Sequence, residues 1–264
     1  MDRADVQGDK QPHDRSGVHP VAVVTGGTGG IGMAICKALA REGMHVVVGY
    51  HRSADKAREL VESLPGEGHA AMAAPVTDSA GLATLASTVG ARYGRCDVLI
   101  NCAGTTRFVP HHDLDGLDDS LIETILATNV RGPFATVRAL RHLLDKSTHP
   151  GGAVVINISS IAAVTAMGSN VMYCASKAAV DNMTKSLARA LAPRIRVLSI
   201  SPGVVDNDFI RSMDQRWLDE QMSRTPLKRL AAPEEVASAV LAAVKYLTFT
   251  TGSIIPVDGG RPLR

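Results

Sequence analysis

The sequence predicts a doubly wound α/β fold, a single Rossmann-type domain in which a parallel sheet lies between two layers of helices. Three observations carry this: short apolar runs alternate with longer amphipathic segments, a glycine cluster directly follows the first run, and no internal repeat competes with that alternation.

The strand candidates are residues 21–24, 45–49, 70–74, 97–100, 153–158, 196–200 and 254–257. They are mostly apolar throughout rather than alternating, the pattern of strands covered on both faces. The helix candidates between them are 31–42, 54–64, 79–93, 118–144, 171–192 and 233–247, each with an apolar stripe wide enough to cover a sheet face. Pro233 followed by Glu234 and Glu235 marks a helix start, because proline suits the first turn and carboxylates there complement the helix dipole. Residues 1–18 are polar and aperiodic, so they are expected to form a disordered tail, with the folded domain spanning 19–264.

Composition narrows the function. With 28 basic and 26 acidic side chains, nothing marks a nucleic-acid or membrane surface. The tail has no hydrophobic segment of the kind a secretory signal needs, and no run of about 20 apolar residues follows, so a cytoplasmic location is expected. Cys36, Cys96, Cys102 and Cys174 are too scattered for a disulfide framework or a zinc site and read as free thiols. His111-His112-Asp113 could suggest a metal, but adjacent side chains converge poorly on one ion, and a solvated loop is expected instead.

Thr25-Gly26-Gly27-Thr28-Gly29-Gly30-Ile31-Gly32 stands between the first strand and the first helix. Glycines there let the chain turn tightly and let backbone N–H groups approach a pyrophosphate at the positive end of the helix. Gly26, Thr28, Gly30, Ile31 and Gly32 are therefore candidate dinucleotide contacts, although glycine-rich turns without a ligand are also common.

Tyr173 and Lys177 are one helical turn apart, so a helix through them projects an ammonium beside a phenol. A cation in that place stabilises phenolate, which suits a group that must both give and take a proton. A plain surface packing pair has the same spacing. Ser160 ends the strand at 153–158 and so belongs to the carboxyl edge of the sheet, where open α/β folds bind ligands.

Together these residues resemble the short-chain dehydrogenase/reductase family, in its compact subtype, from about Val21 to Gly260. Thr25 to Gly32 is similar to the family's T-G-x-x-x-G-x-G cofactor turn. Asn101-Cys102-Ala103-Gly104 is similar to its N-N-A-G motif, with cysteine at the second place. The resemblance implies a catalytic tetrad of Asn129, Ser160, Tyr173 and Lys177, with Ser160 chosen over Ser159 by its distance from the tyrosine. It also implies cofactor contacts from Asn101, Ala103, Gly104, Val76, Val205 and the Pro202-Gly203 turn. In these roles Tyr173 supplies the proton, Ser160 bonds the substrate oxygen, Lys177 holds the nicotinamide ribose, and Asn129 positions a water leading to solvent.

Cofactor choice is divided. Tyr50 stands where NAD-preferring relatives carry an acidic residue, and His51 and Arg52 beside it could face a 2′-phosphate, so NADP(H) is favoured and NAD(H) stays possible. Gly29 lacks the basic side chain of many NADP-preferring relatives, Pro75 replaces a common aspartate, and Asn207 stands near the usual threonine after the Pro-Gly turn.

Residues 204–225, with Phe209, Met213, Trp217 and Met222 at roughly helical spacing, correspond to the family's substrate lid, or else to a small packed helix. Ala162, Val164, Met167 and Met172 suggest a partly apolar small-molecule carbonyl or alcohol substrate, and the pattern is similar to 3-oxoacyl-acyl-carrier-protein reductases. Arg138, Arg141, Arg194 and Arg196 could dock an acidic carrier or be ordinary solvated charges. The resemblance implies a homotetramer or dimer joined through 118–144 and 171–192. A cofactor-binding but non-catalytic regulatory or scaffold protein is the alternative reading.

Overall fold

The computed structural model describes residues 19–263, apart from the Phe209 side chain; the expected tail at 1–18 and Arg264 lie outside the described residues. Seven parallel strands form one sheet in the order β3-β2-β1-β4-β5-β6-β7. They are β1 (Val21–Thr25), β2 (His45–Tyr50), β3 (Ala70–Ala73), β4 (Val98–Asn101), β5 (Ala153–Ile158), β6 (Ile195–Pro202) and β7 (Ile254–Val257). The helices are α1 (Gly30–Arg41), α2 (Ala54–Ser63), α3 (Ser79–Tyr93), α4 (Asp119–Leu126), α5 (Gly132–Leu144), α6 (Ala162–Thr165), α7 (Val171–Leu191), α8 (Asp208–Arg211), α9 (Gln215–Ser223) and α10 (Pro233–Lys245).

The two-residue period of a strand divides its side chains between two cores. Ala22, Val24, Val46, Val48, Ile100 and Ile156 face one layer together with Ile35 and Leu39 of α1 and Val240 of α10. Val23, Val47, Leu99, Val155 and Val197 face the other, with Leu82 of α3 and Leu140 of α5. All of these except Leu82, at 1%, are 0% exposed, and each such aliphatic side chain contributes about 1.5–3 kcal/mol by leaving water.

After β3 the chain crosses back to place β4 beside β1, which opens a crevice at the carboxyl ends of these two strands. The register keeps those ends level, pairing Thr25 with Asn101 and Asn101 with Asn157. Thr25 Oγ1 locks the junction: it donates to the Ile100 carbonyl at 3.3 Å and accepts from the Cys102 and Ala103 amides at 3.2 Å each.

Three side chains on one face of α7 dock it on the sheet. Lys177 Nζ donates to the Ile158 carbonyl at 2.8 Å, Asp181 accepts from Ser199 Oγ at 2.9 Å, and Thr184 Oγ1 accepts from Asn157 Nδ2 at 2.8 Å. Asn157 Oδ1 in turn accepts from Asn101 Nδ2 at 2.9 Å, so a buried polar chain joins β4, β5 and α7.

The structure departs from the sequence reading in three places. The single helix expected at 118–144 is interrupted at Ala127–Arg131 by a π turn that contains Asn129. Residues 204–225, with apolar residues at the spacing of one helix, hold two short helices, because Asn207 and Asp214 each accept a bond from a first-turn amide and start a new helix. Arg196 is not a solvated or docking charge: it is 6% exposed and donates to the Ala243 and Leu247 carbonyls at 3.1 and 3.0 Å, closing the end of α10. Arg141 and Arg194 both pair with Asp145, and Arg138 lies over the Phe134 ring.

Candidate active site

The carboxyl ends of the strands border two adjoining cavities. The first, of about 740 Å³, runs past the glycine turn and is bordered by Gly26, Thr28, Gly30, Ile31 and Gly32, by His51 and Arg52, and by Val76, Ala103 and Gly104. It ends at Tyr173 and Lys177. The second, of about 490 Å³, is bordered by Ser160 and Tyr173, by Pro202, Gly203 and Val205, and by the apolar Ile210, Met213 and Trp217.

The first cavity fits an extended dinucleotide. Gly26 has φ +64°, and a Cβ there would lie 2.8 Å from the Ala103 Cα; a Cβ on Gly32 would lie 2.2 Å from the Gly26 carbonyl oxygen. The turn can therefore fold this tightly only with glycine at both places. No side chain caps α1, whose N-cap is Gly29, so its first-turn amides are available to a phosphate. The exposed His51 and Arg52 sit just past β2, at the rim.

Five expected contacts do not border this cleft: Pro202, Gly203 and Val205 border the second cavity, and Tyr50 and Asn101 border neither. Tyr50 packs against the core beside α1 and does not border the cleft. Asn101 is 3% exposed and donates its Nδ2 to Asn157, while its Oδ1 has no partner among the described residues. Other residues bordering the cleft were not anticipated, among them Ser53, Ala74, Thr124 and Thr128. Thr124 lies in the last turn of α4 and Thr128 in the π turn that follows it, a feature with no sequence signature.

Where the two cavities meet, helix α7 starts with Asn170 Oδ1 accepting the Tyr173 amide at 2.7 Å. Its first two turns carry Tyr173 and then Lys177, whose Nζ stands 5.7 Å from the phenol ring centroid. The lysine is 7% exposed and held by the Ile158 carbonyl. Ser160 Oγ accepts the Ala162 amide at 3.2 Å, which fixes the hydroxyl at the cavity wall; Ser159 is buried and donates to the Lys177 carbonyl at 3.4 Å.

Asn129 is 1% exposed, accepts the Thr105 amide at 2.8 Å, and donates to the Thr105 carbonyl at 3.0 Å and to Ser176 Oγ at 3.1 Å. A Cβ on Gly104 would come to 3.5 Å of Asn129 Oδ1 and 3.9 Å of Lys177 Nζ, so the glycine keeps the space between them open. Cys102 borders the same cleft, but burial pushes its thiol up to about 12 despite the opposing charge of Lys177, which leaves it protonated and unreactive at neutral pH.

Among the described residues no cluster of metal-ligating side chains occurs, and no helix is long and apolar enough to cross a membrane. His111 instead contacts the Gly168 carbonyl at 3.2 Å beside the second cavity.

Residues 26–261 match the family described as enoyl-(acyl carrier protein) reductase. A protein named as ketoacyl reductase 2 of the granaticin polyketide synthase of Streptomyces violaceoruber is 37% identical over 92% of this chain and 96% of its own. The cis-4-hydroxycyclohexanecarboxylate dehydrogenase of Sinomonas cyclohexanicum is 34% identical over 91% of this chain and 95% of its own. Among solved structures, a short-chain dehydrogenase/reductase of Brucella melitensis, titled a glucose/ribitol dehydrogenase, superposes with a TM-score of 0.84 at 27% identity, covering 92% of this chain and 96% of that one.

Proposed function

Since the chain belongs to the short-chain dehydrogenase/reductase family, oxidoreductases acting on CH–OH and C=O groups, we propose that it interconverts a ketone and a secondary alcohol with NADP(H), Tyr173 handling the proton. The observation that carries this is the position of Tyr173, the side chain of the tetrad that borders both the dinucleotide cleft and the apolar cavity beside it.

A bound nicotinamide would supply hydride to the carbonyl carbon, or take it in the reverse direction. Tyr173 and Ser160 hold the carbonyl oxygen by hydrogen bonds, and as negative charge develops on that oxygen the phenol gives it a proton. The Lys177 ammonium then stabilises the phenolate, and it is held ready for this by the Ile158 carbonyl. Asn129 ties the π turn to the Thr105 backbone and, with the space left by Gly104, borders the route by which the phenolate regains its proton.

The apolar second cavity and the relatives named as a ketoacyl reductase and a hydroxycyclohexanecarboxylate dehydrogenase support 3-oxoacyl-like or cyclic carbonyl substrates. His51 and Arg52 at the cleft rim support the phosphorylated cofactor. The reading also includes a cytoplasmic homotetramer or dimer assembled through α5 and α7, where Phe134 and Val171 are exposed. Tyr173→Phe should lower kcat by about 10²- to 10⁴-fold while leaving the Kd for NADPH within about twofold, because the ring stays and the proton goes. Stopped-flow absorbance for the rate and fluorescence titration for the cofactor measure the two separately; near-normal turnover in this variant would remove the proposed acid.

A further inference from the structure

We propose that the second cavity selects carbonyl compounds carrying a single carboxylate, seated against Arg261; this rests on reading that cavity as the carbonyl site. Arg261 follows β7 and is 6% exposed, yet its guanidinium meets only neutral acceptors. Nη1 donates to the Gln221 carbonyl at 2.6 Å and to Thr225 Oγ1 at 3.4 Å, and Nη2 to Gln221 Oε1 at 2.7 Å. Among the described residues no carboxylate lies within ion-pairing distance of it.

A buried cation without a counter-ion is unfavourable, and the remedy is an anion arriving from solvent. The cavity wall provides the route, because Arg261 borders the same cavity as Ser160 and Tyr173. The other charges on that wall cancel: Arg224 Nη2 pairs with Glu220 Oε1 at 2.5 Å. His111, the remaining titratable group there besides Tyr173, is engaged by the Gly168 carbonyl. The wall therefore holds one uncompensated positive charge, matched by one carboxylate and not by a doubly charged phosphate. Burial first, and Arg224 second, press the Arg261 guanidinium below its ordinary value, and the more distant charge of Glu220, already paired with Arg224, opposes them only in part. Phe108, Met167, Ile210, Met213 and Trp217 supply an apolar surface for the body of the molecule, within a volume suited to a compact ligand.

The test uses one matched pair, 4-oxo-4-phenylbutanoate and its methyl ester, titrated calorimetrically into the full chain in the presence of NADPH. The acid should bind about 10- to 100-fold tighter than the ester, as a charge-assisted contact implies. Arg261→Met should bring the two within about twofold. Should that variant lose its fold, Glu220→Gln decides independently, since it removes the exposed partner of Arg224 and should widen the preference for the acid. Equal affinity for acid and ester in the wild type, or an unchanged preference in Glu220→Gln, would overturn the proposal. The carbonyl-reduction reading is judged separately, by NADPH oxidation with neutral ketones: turnover of neutral ketones without preference for the acid defeats only the carboxylate site, whereas tight acid binding without turnover of any ketone defeats only the reductase reading.

Discussion

Arg52 is an exposed side chain whose effect depends on what it faces. It stands with His51 just past β2, on the rim of the cleft that holds the glycine turn, where a 2′-phosphate on an adenine ribose would come within its reach. Arg52→Asp replaces attraction by repulsion for that phosphate and changes little for a bare ribose. The KM for NADPH should rise by about 10- to 100-fold and that for NADH by less than about threefold. Steady-state titration with both cofactors checks this, and equal losses would contradict the phosphate contact. At this scale the sequence was informative about placement: Gly26, Gly32, Tyr173 and Lys177 all border one cleft. It was silent about residues whose role comes from the way neighbours pack. Tyr50 ends β2, where a cofactor contact would stand, but it packs against the core, and Arg261 gives no signal in the sequence that it would be buried beside α9.

Elements were legible to the extent that one periodicity governed them. All seven strands and the long helices α1, α3, α7 and α10 follow from apolar patterning, since burial on a sheet face repeats over many residues. The π turn at Ala127–Arg131 escaped because it keeps the amphipathic pattern of a helix while adding a residue to one turn. The segment 204–225 is divided into α8 and α9 because two capping residues, Asn207 and Asp214, outweigh an apolar spacing that would suit one helix. Helix α7 shows what holds such an element in register. Thr184→Val keeps the shape of the side chain but leaves Asn157 Nδ2, in a fully buried setting, without its acceptor. The variant should be about 1–3 kcal/mol less stable by urea denaturation, with the denaturant slope unchanged. A loss below about 0.5 kcal/mol would mean that the polar chain from Asn101 through Asn157 does not fix the helix.

Across the whole molecule the two edges of the sheet have separate duties. Chemistry gathers at the carboxyl ends of the strands, whereas the amino ends carry a cluster of basic side chains around His45, at the start of β2. Its ring stacks against His19 at 4.8 Å and lies 5.9 Å from the Tyr93 ring. Burial first, and then the charges of His19, His69, Arg92 and Arg95, lower its affinity for a proton in the folded state. Because the folded value lies below the ordinary 6.5, the unfolded chain binds the proton more readily. This contribution to stability is complete above the unfolded value and declines as the pH falls from there through the folded one. Urea denaturation at a series of pH values between about 8 and 5 should therefore show stability falling on acidification, with a shallower fall in His45→Gln. Since His45 lies at the edge away from Tyr173 and Lys177, kcat in that variant should match the wild type at each pH where both are folded. Parallel stability curves for the two proteins would remove His45 as a source of the pH dependence, and a changed kcat would mean that the two edges of the sheet are not independent.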